Sequence, residues 1–389
     1  MTSETTAASG AGAGAGASPQ EISGVFRGSA DGSTGLQDTG KQPGRKTEQG
    51  ISARAIPTFI AGEELADLAD ADGRVIVLTA DLASAGRTID FAKRHPGRFF
   101  NIGVAEQNMV SVAAGMASAG LRPFVSTFAA YLALLCCEQV RTDLAYTGMP
   151  VVMLAHHSGM ALGYYGTSHH ALEDLSAMRG IAGLTVVCAC DANELRAILR
   201  TSLTHDGPVY VRMGRGRDPE VYADVPEDFA FGRAIRLTEG ADIALITTGS
   251  QVRPCLQAAE DLANEGISAR VVDMHTVSPA DAEEIQAAVE DIGTILTVEE
   301  HNITGGLGAA VAEVIAEHGK PVSFRRHGVP DVHVTLGPPA ALYAHYELDA
   351  AGVAARARDL LQHTRLRHTG SRHTGSRHTG SQDTKGNGR

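Results

Sequence analysis

The chain reads as an α/β protein: two doubly wound parallel-sheet domains flanked by disordered tails. Three observations predict this. From about residue 50 to 362, short Val/Ile/Leu-rich runs alternate with stretches of helical character. Such near-continuous apolar runs mark strands covered on both faces of a parallel sheet. The rhythm breaks once, at "GRGRDPEVYADVPEDFAFG" (Gly214–Gly232), whose Pro, Asp and Gly residues read as a linker. Both ends lack hydrophobic periodicity. The predicted layout is an N-terminal extension over 1–48, a first domain over 49–215, a linker over 216–233, a second domain over 234–362, and a tail over 363–389.

The elements follow in order. The Gly, Ala, Ser and Thr of residues 1–48 bury too little apolar surface to fold. "RVIVLTADL" (Arg74–Leu82), entered from "ADG", is a buried strand. "RFFNIGV" is an extended entry to a helix that begins near Glu106. "RPFVSTF", "PVVMLAHH", "GLTVVCAC" and "PVYVRMG" continue the strand series. In the second domain "DIALITTG" is a strand, and Ser250 is placed to N-cap the helix "QVRPCLQAAEDLANEG", which stops at Gly266. Pro254 is tolerated near its first turn. Strands "SARVVDM" and "GTILTVEE", the helix "GAAVAEVIAEHG" and a last helix from about Asp349 to Leu361 complete it. The tail repeats "RHTGS" three times, too short a unit for a solenoid. Its spaced histidines are a weak metal motif at best.

Composition narrows the function classes. A formal net charge of −12 argues against general nucleic-acid binding, which needs a basic face. No window approaches 18 consecutive apolar residues. The N-terminus has neither the basic nor the apolar region of a secretory signal. Five cysteines without zinc-finger spacing read as buried thiols, as expected in the cytoplasm.

Four features carry candidate chemistry. Glu106 stands at the head of a small-residue helix among Val104, Ala105, Met109 and Val110. Either it complements the positive end of its own helix, or it is a carboxylate held in a dry site for a ligand. "AHHSGMALGYYGTSHHALED" follows a strand and holds His156, His157, His169 and His170. Ligands of open parallel sheets bind beyond the strands' carboxyl ends. Substrate contact or proton transfer, structural histidines and metal ligation all remain open there, the last without a helical His pair or a partner Cys to support it. Arg212, Arg215 and Arg217 lie at and beyond a strand end, where arginine suits a phosphate. "GGLGAA" (Gly305–Ala310) opens a helix, either for close helix–sheet packing or as an anion cradle.

"FFNIGVAEQNMVSVAAGMASAGLRPFVSTFAAYL", followed by a strand and the His-rich glycine loop, resembles the thiamine-diphosphate enzymes of the transketolase family, specifically their C-terminal half. "HDGPVYVRMGRG", "VVDMHTVSPAD" and "VEEHNITGGLGAAVAEVIAEHG" extend the resemblance over about residues 50–362. It implies a pyrimidine-binding domain followed by a transketolase C-terminal domain. It also implies that Glu106 bonds N1′ of the cofactor's aminopyrimidine, and that Phe128 and Tyr131 pack on that ring. Asp81 would lie near the thiazolium and His169 at the reacting centre, while His156, Arg212 and, more weakly, Arg54 would hold a sugar phosphate. The cofactor's diphosphate and Mg²⁺ are bound in such enzymes by a "GDG" segment that this sequence lacks. The resemblance therefore implies a partner: an N-terminal transketolase subunit that carries the diphosphate site, in a heterotetramer. The expected activity is transfer of a two-carbon ketol unit from a ketose phosphate to an aldehyde. The alternatives are the β subunit of a 2-oxo acid dehydrogenase's decarboxylating component, a deoxyxylulose-phosphate-synthase-like enzyme, or a non-catalytic scaffold. One departure stands out. Tyr164 and Tyr165, in "GYYGTSH", replace two acids usual in the family's "GEDGxTH", which puts an ordinary sugar-phosphate acceptor in doubt.

Overall fold

The computed structural model describes residues 60–215 and 218–374, with side chains to residue 364. Arg54, Arg217, the N-terminal extension and the end of the tail lie outside the described residues. Two sheets form the frame. The first contains β1 (Val75–Thr79), β2 (Phe99–Asn101), β3 (Arg122–Phe128), β4 (Val152–His156), β5 (Thr185–Cys188) and β6 (Val209–Arg212). The second contains β7 (Ile235–Thr238), β8 (Ile243–Thr247), β9 (Ala269–Asp273), β11 (Thr294–Asn302) and β12 (Ser323–Val329). A short β10 (Thr276–Ser278) leaves the second domain and pairs antiparallel with β5 of the first.

The strand orders are β10-β5-β6-β4-β3-β1-β2 and β12-β11-β8-β9-β7. Apart from the edge strands β10 and β7, every pairing is parallel. Strands β1, β4, β5, β6, β8 and β9 are buried at every position, which explains their largely apolar sequences. In the first sheet the chain runs from β1 outward to β2, then returns to β3 on the other side of β1. That reversal opens a crevice at the carboxyl ends of β1 and β3.

One buried cluster spans the two domains, and each also has a core of its own. Val125, Met153 and Val186 of the first sheet belong to the same buried cluster as Ile246, Val272, Ile285 and Leu307 of the second domain. The expected linker is packed rather than loose. Val221 and Tyr222 donate their backbone N–H groups to the Asp191 carboxylate, Tyr222 Oη donates to Asp273 at 2.8 Å, and Phe229 stacks on His275 at 4.2 Å.

Several local expectations change. Ser250 does not cap: it lies in a 3₁₀ turn (Gly249–Gln251) before the helix Val252–Ala263, and its hydroxyl donates to Glu300 instead. The last helix, Ala350–Thr374, runs past Leu361, through the first RHTGS copy and into the second. The strands β7, β10 and β12 have no counterpart in the expected series. Each is an edge strand, and β7 and β12 carry polar residues that hide a simple apolar run.

Candidate active site

The helix Glu106–Ser118 begins at Glu106 itself, with Ala105 at the cap position and no side-chain cap. A carboxylate in the first turn complements the helix's positive end. The structure adds what the helix alone does not need. Glu106 is only 5% exposed, while its neighbours Val104, Gln107 and Asn108 are exposed. Among the described residues nothing donates a hydrogen bond to its carboxylate. Its oxygens are not wholly sealed from solvent, so an incoming ligand can supply the missing donor.

The strand β3 ends at Phe128, and the following helix opens into a π-helical turn at Tyr131–Leu135. Such turns interrupt regular helices frequently at functional sites. This one stands against Glu106: Gln107 Nε2 donates to the Leu135 carbonyl at 3.1 Å, and the Cys136 thiol is pushed up to about 12 by burial and then by the Glu106 charge. The turn also sets Tyr131 beside Phe128, edge to face at 5.6 Å.

The histidine loop closes over the same rings. Phe128 meets His156, His157 and His169 edge to face at 5.1, 5.2 and 5.5 Å. His169 Nε2 lies 3.2 Å from Tyr131 Oη, and its Nδ1 lies 2.9 Å from Ser168 Oγ. One ring is thus held by two hydroxyls, half-buried and open enough for proton transfer. Asp81 lies just beyond β1 with φ 60°, a left-handed backbone held by reciprocal bonds: its N–H donates to Asn101 Oδ1 and Asn101 Nδ2 donates to its carboxylate, both at 3.0 Å. Asn101 Oδ1 also accepts from Gly103 N. Asp81 therefore shapes the loop that leads into Glu106.

His156 and Arg212 are placed differently from a sugar-phosphate grip. His156 is fully buried, its Nδ1 2.7 Å from His157 Nδ1, and desolvation holds it well below the usual imidazole range. His157 is held near 4 by burial and then by Arg215. Arg212 is 3% exposed. Its Nε donates to Asp174 at 2.8 Å, and its Nη2 donates to the carbonyls of Ala171 and Glu300. It is an internal tie between the histidine loop and β11. Arg215, exposed at the end of β6 and in no ion pair among the described residues, is the cation left open to an anion.

Residues that sequence reasoning passed over complete the support. Adjacent residues of a strand point to opposite faces, and the pair Glu299–Glu300 uses both. Glu299 accepts from the Leu307 and Gly308 N–H groups at 2.7 and 2.9 Å, so the anion cradled by "GGLGAA" is the chain's own carboxylate. Glu300 accepts from Met160 N at 2.6 Å in the histidine loop, and from Ser250 and Tyr343 hydroxyls in the second domain. Gly159 leaves the room this needs, since a Cβ there would stand 2.1 Å from the Glu300 carboxyl carbon. Within "VEEH", two adjacent carboxylates in a buried strand were the available signal.

The crevice therefore holds a buried carboxylate without a donor, two aromatic rings and a hydroxyl-held imidazole at a sheet's switch point. That set fits an aminopyrimidine: Glu106 as acceptor, Phe128 and Tyr131 as its apolar faces. Residues 58–219 match the family described as "Transketolase, pyrimidine binding domain" and residues 232–353 "Transketolase, C-terminal domain". The chain is 38% identical over 300 residues to one subunit of the apulose-4-phosphate transketolase of Phocaeicola vulgatus, covering 77% of this chain and 96% of that one. It is 38% identical over 299 residues to a 6-deoxy-6-sulfo-D-fructose transketolase subunit of a Clostridium species, covering 77% and 92%. Among solved structures, a split-gene transketolase described as an inactive β4 tetramer superposes with a TM-score of 0.72 at 39% identity, covering 78% of this chain and 97% of that one. The chain belongs to the transketolase family, as a C-terminal subunit of its split form. Membership in that family implies dependence on thiamine diphosphate.

Proposed function

We propose that the chain, joined to an N-terminal transketolase subunit, transfers a two-carbon ketol unit from a ketose donor to an aldehyde acceptor. The observation that carries this reading is the buried, donorless carboxylate of Glu106 at the carboxyl end of the first sheet. When bound, thiamine diphosphate supplies the electron sink for cleaving and remaking the carbon–carbon bond. Glu106 holds the hydrogen bond at the aminopyrimidine N1′ position and so governs that ring's protonation. Phe128 and Tyr131 fix its plane and exclude water. His169, aligned by Tyr131 and Ser168, moves a proton at the substrate oxygens. Asp81 shapes the approach, and His156 backs Phe128 from within. Arg215 takes the place expected of Arg212 against a donor phosphate, with Arg54 as a further candidate.

The partner subunit is proposed to bind the diphosphate through Mg²⁺, with the two chains paired as a heterotetramer. All five cysteines are free, which suits the cytoplasm. No described helix is long and apolar enough to cross a membrane.

The test is reconstitution with the N-terminal subunit, thiamine diphosphate and Mg²⁺. Ketose cleavage with two-carbon transfer and no CO₂ supports the reading. Release of CO₂ from a 2-oxo acid points to the decarboxylating relatives instead, and inactivity of every assembled complex points to a scaffold.

A further inference from the structure

The loop that carries His169 presents an unusual surface. Residues 160–168 read Met-Ala-Leu-Gly-Tyr-Tyr-Gly-Thr-Ser, with no charged side chain. Tyr164 and Tyr165 are 67% and 63% exposed. Large rings stay in water at the expense of hydrophobic free energy unless something covers them. Tyr165 is not a stray ring: it tilts against His169 with centroids 4.9 Å apart. It therefore borders the imidazole that the proposed reaction places at the substrate oxygens.

The second domain extends the same surface. Gly337 N donates to the Gly163 carbonyl at 3.0 Å, pinning the segment around Leu336 to the loop. Leu336, itself 62% exposed, lies over Gly166, where a Cβ would meet its Cδ2 at 2.7 Å. Gly166 has φ 75°, so it serves both the turn and the close approach of Leu336. Tyr165 thus lies against His169, Leu336 lies over Gly166 in the same loop, and Tyr164 stands exposed next to Tyr165 in the chain, with the two domains pinned there by a backbone hydrogen bond. Carbohydrate phosphates are recognised by charge and dense hydrogen bonding. This shelf offers ring faces, a branched methyl pair and two phenol hydroxyls.

We propose that Tyr164, Tyr165 and Leu336 form an acceptor subsite, and that it selects an aldehyde bearing an apolar, ring-sized substituent over a phosphorylated aldose. This rests on the transketolase reading above and deepens it. The substituent lies on the tyrosine shelf, which brings the aldehyde carbon toward His169. The new carbon–carbon bond joins the two-carbon unit to that carbon as the aldehyde C=O π bond opens, and the oxygen takes the proton that His169 moves, becoming the hydroxyl of the product.

The experiment uses the assembled holoenzyme with one ketose donor and two acceptors, phenylacetaldehyde and glyceraldehyde 3-phosphate. Donor turnover is measured separately, without acceptor, by ferricyanide oxidation. The wild type is expected to show the higher kcat/KM with phenylacetaldehyde. Tyr164→Gln, Tyr165→Gln and Leu336→Gln each lower the ratio of the two kcat/KM values by about tenfold, mostly through KM of the aromatic acceptor. Gln keeps the loop polar and of similar length, and circular dichroism checks that each variant folds. Preference of the wild type for glyceraldehyde 3-phosphate overturns the proposal. So does an equal loss for both acceptors, which would make the shelf structural or a seat for the partner subunit. Donor turnover with the wrong acceptor preference defeats this inference alone. Absence of donor turnover defeats the transketolase reading and the inference with it.

Discussion

Asp174→Asn is predicted to destabilise the chain by about 3–5 kcal/mol, the usual cost of removing one partner of a buried ion pair. The Arg212 and Asp174 side chains are 4% and 0% exposed, with Nε and Oδ2 2.8 Å apart. At that distance two unit charges attract by roughly 6 kcal/mol in a medium of effective dielectric near 20. Burial opposes the charge on Arg212, and Asp174 more than compensates, so the guanidinium is held above its ordinary range. The substitution keeps the side-chain shape but leaves a guanidinium in the core without its counter-charge. It also weakens the bond from Tyr210 Oη, 3.1 Å from the same oxygen. The chain has no tryptophan, so urea unfolding is best followed by circular dichroism at 222 nm. A loss below about 1 kcal/mol would refute the reasoning. It would mean that Arg212 can swing out of the core at little cost, which would return it to the role of a phosphate grip.

Other predictions concern the supports. Gly306→Ala places a Cβ 2.0 Å from Glu299 Oε2, evicting the carboxylate from the Leu307 and Gly308 amides. A loss of about 2–4 kcal/mol is expected in the same urea assay, since charge-assisted bonds of this kind count for more than neutral ones. His157 and His275 are both held near 4 by burial, against an ordinary 6.5. As pH falls below about 6.5 the unfolded chain takes up protons that the folded chain refuses. Stability should decline between pH 6.5 and 4, by roughly 3 kcal/mol per histidine at the acid end. Glu194 and Asp273 act in the opposite sense. Burial raises both, Asp273 to about 6, and the two carboxyls face each other in the domain interface. Their contribution is full below about pH 4 and is lost as pH rises through 6. The stability of Glu194→Gln relative to the wild type should therefore improve from pH 5 to pH 8, and a flat difference would contradict the raised carboxyl pair.

Local sequence carried much of this architecture. Runs such as Val75–Thr79 and Val209–Arg212 are buried on both faces, so their apolar character alone marks a parallel sheet. Glu106 was legible because a carboxylate at the head of a small-residue helix demands an explanation within a few residues of itself. What stayed hidden depends on contacts distant in sequence. Arg212 looked like a phosphate ligand because its partners, Asp174 and the carbonyl of Glu300, lie 38 and 88 residues away. Ser250 looked like a cap because the competing acceptor, Glu300, is 50 residues downstream. Strand β10 is three residues long and owes its pairing to a different domain, so no periodicity could announce it. The glycines of "GGLGAA" read chiefly as close helix–sheet packing, with an anion cradle as the alternative; both hold, since a Cβ at Gly308 would meet Arg326 and Thr297, and the cradled anion is Glu299, which no local pattern could name.

The proposed chemistry turns on Glu106, and Glu106→Gln in the complex with the N-terminal subunit tests it most directly. The amide keeps the shape of the side chain, and no described residue bonds the carboxylate that it replaces. Thermal unfolding should be unchanged or slightly raised, while two-carbon transfer falls by at least about a hundredfold, the lower bound for losing a positioned proton-transfer group. Near-normal transfer by the folded, assembled variant would contradict the central claim.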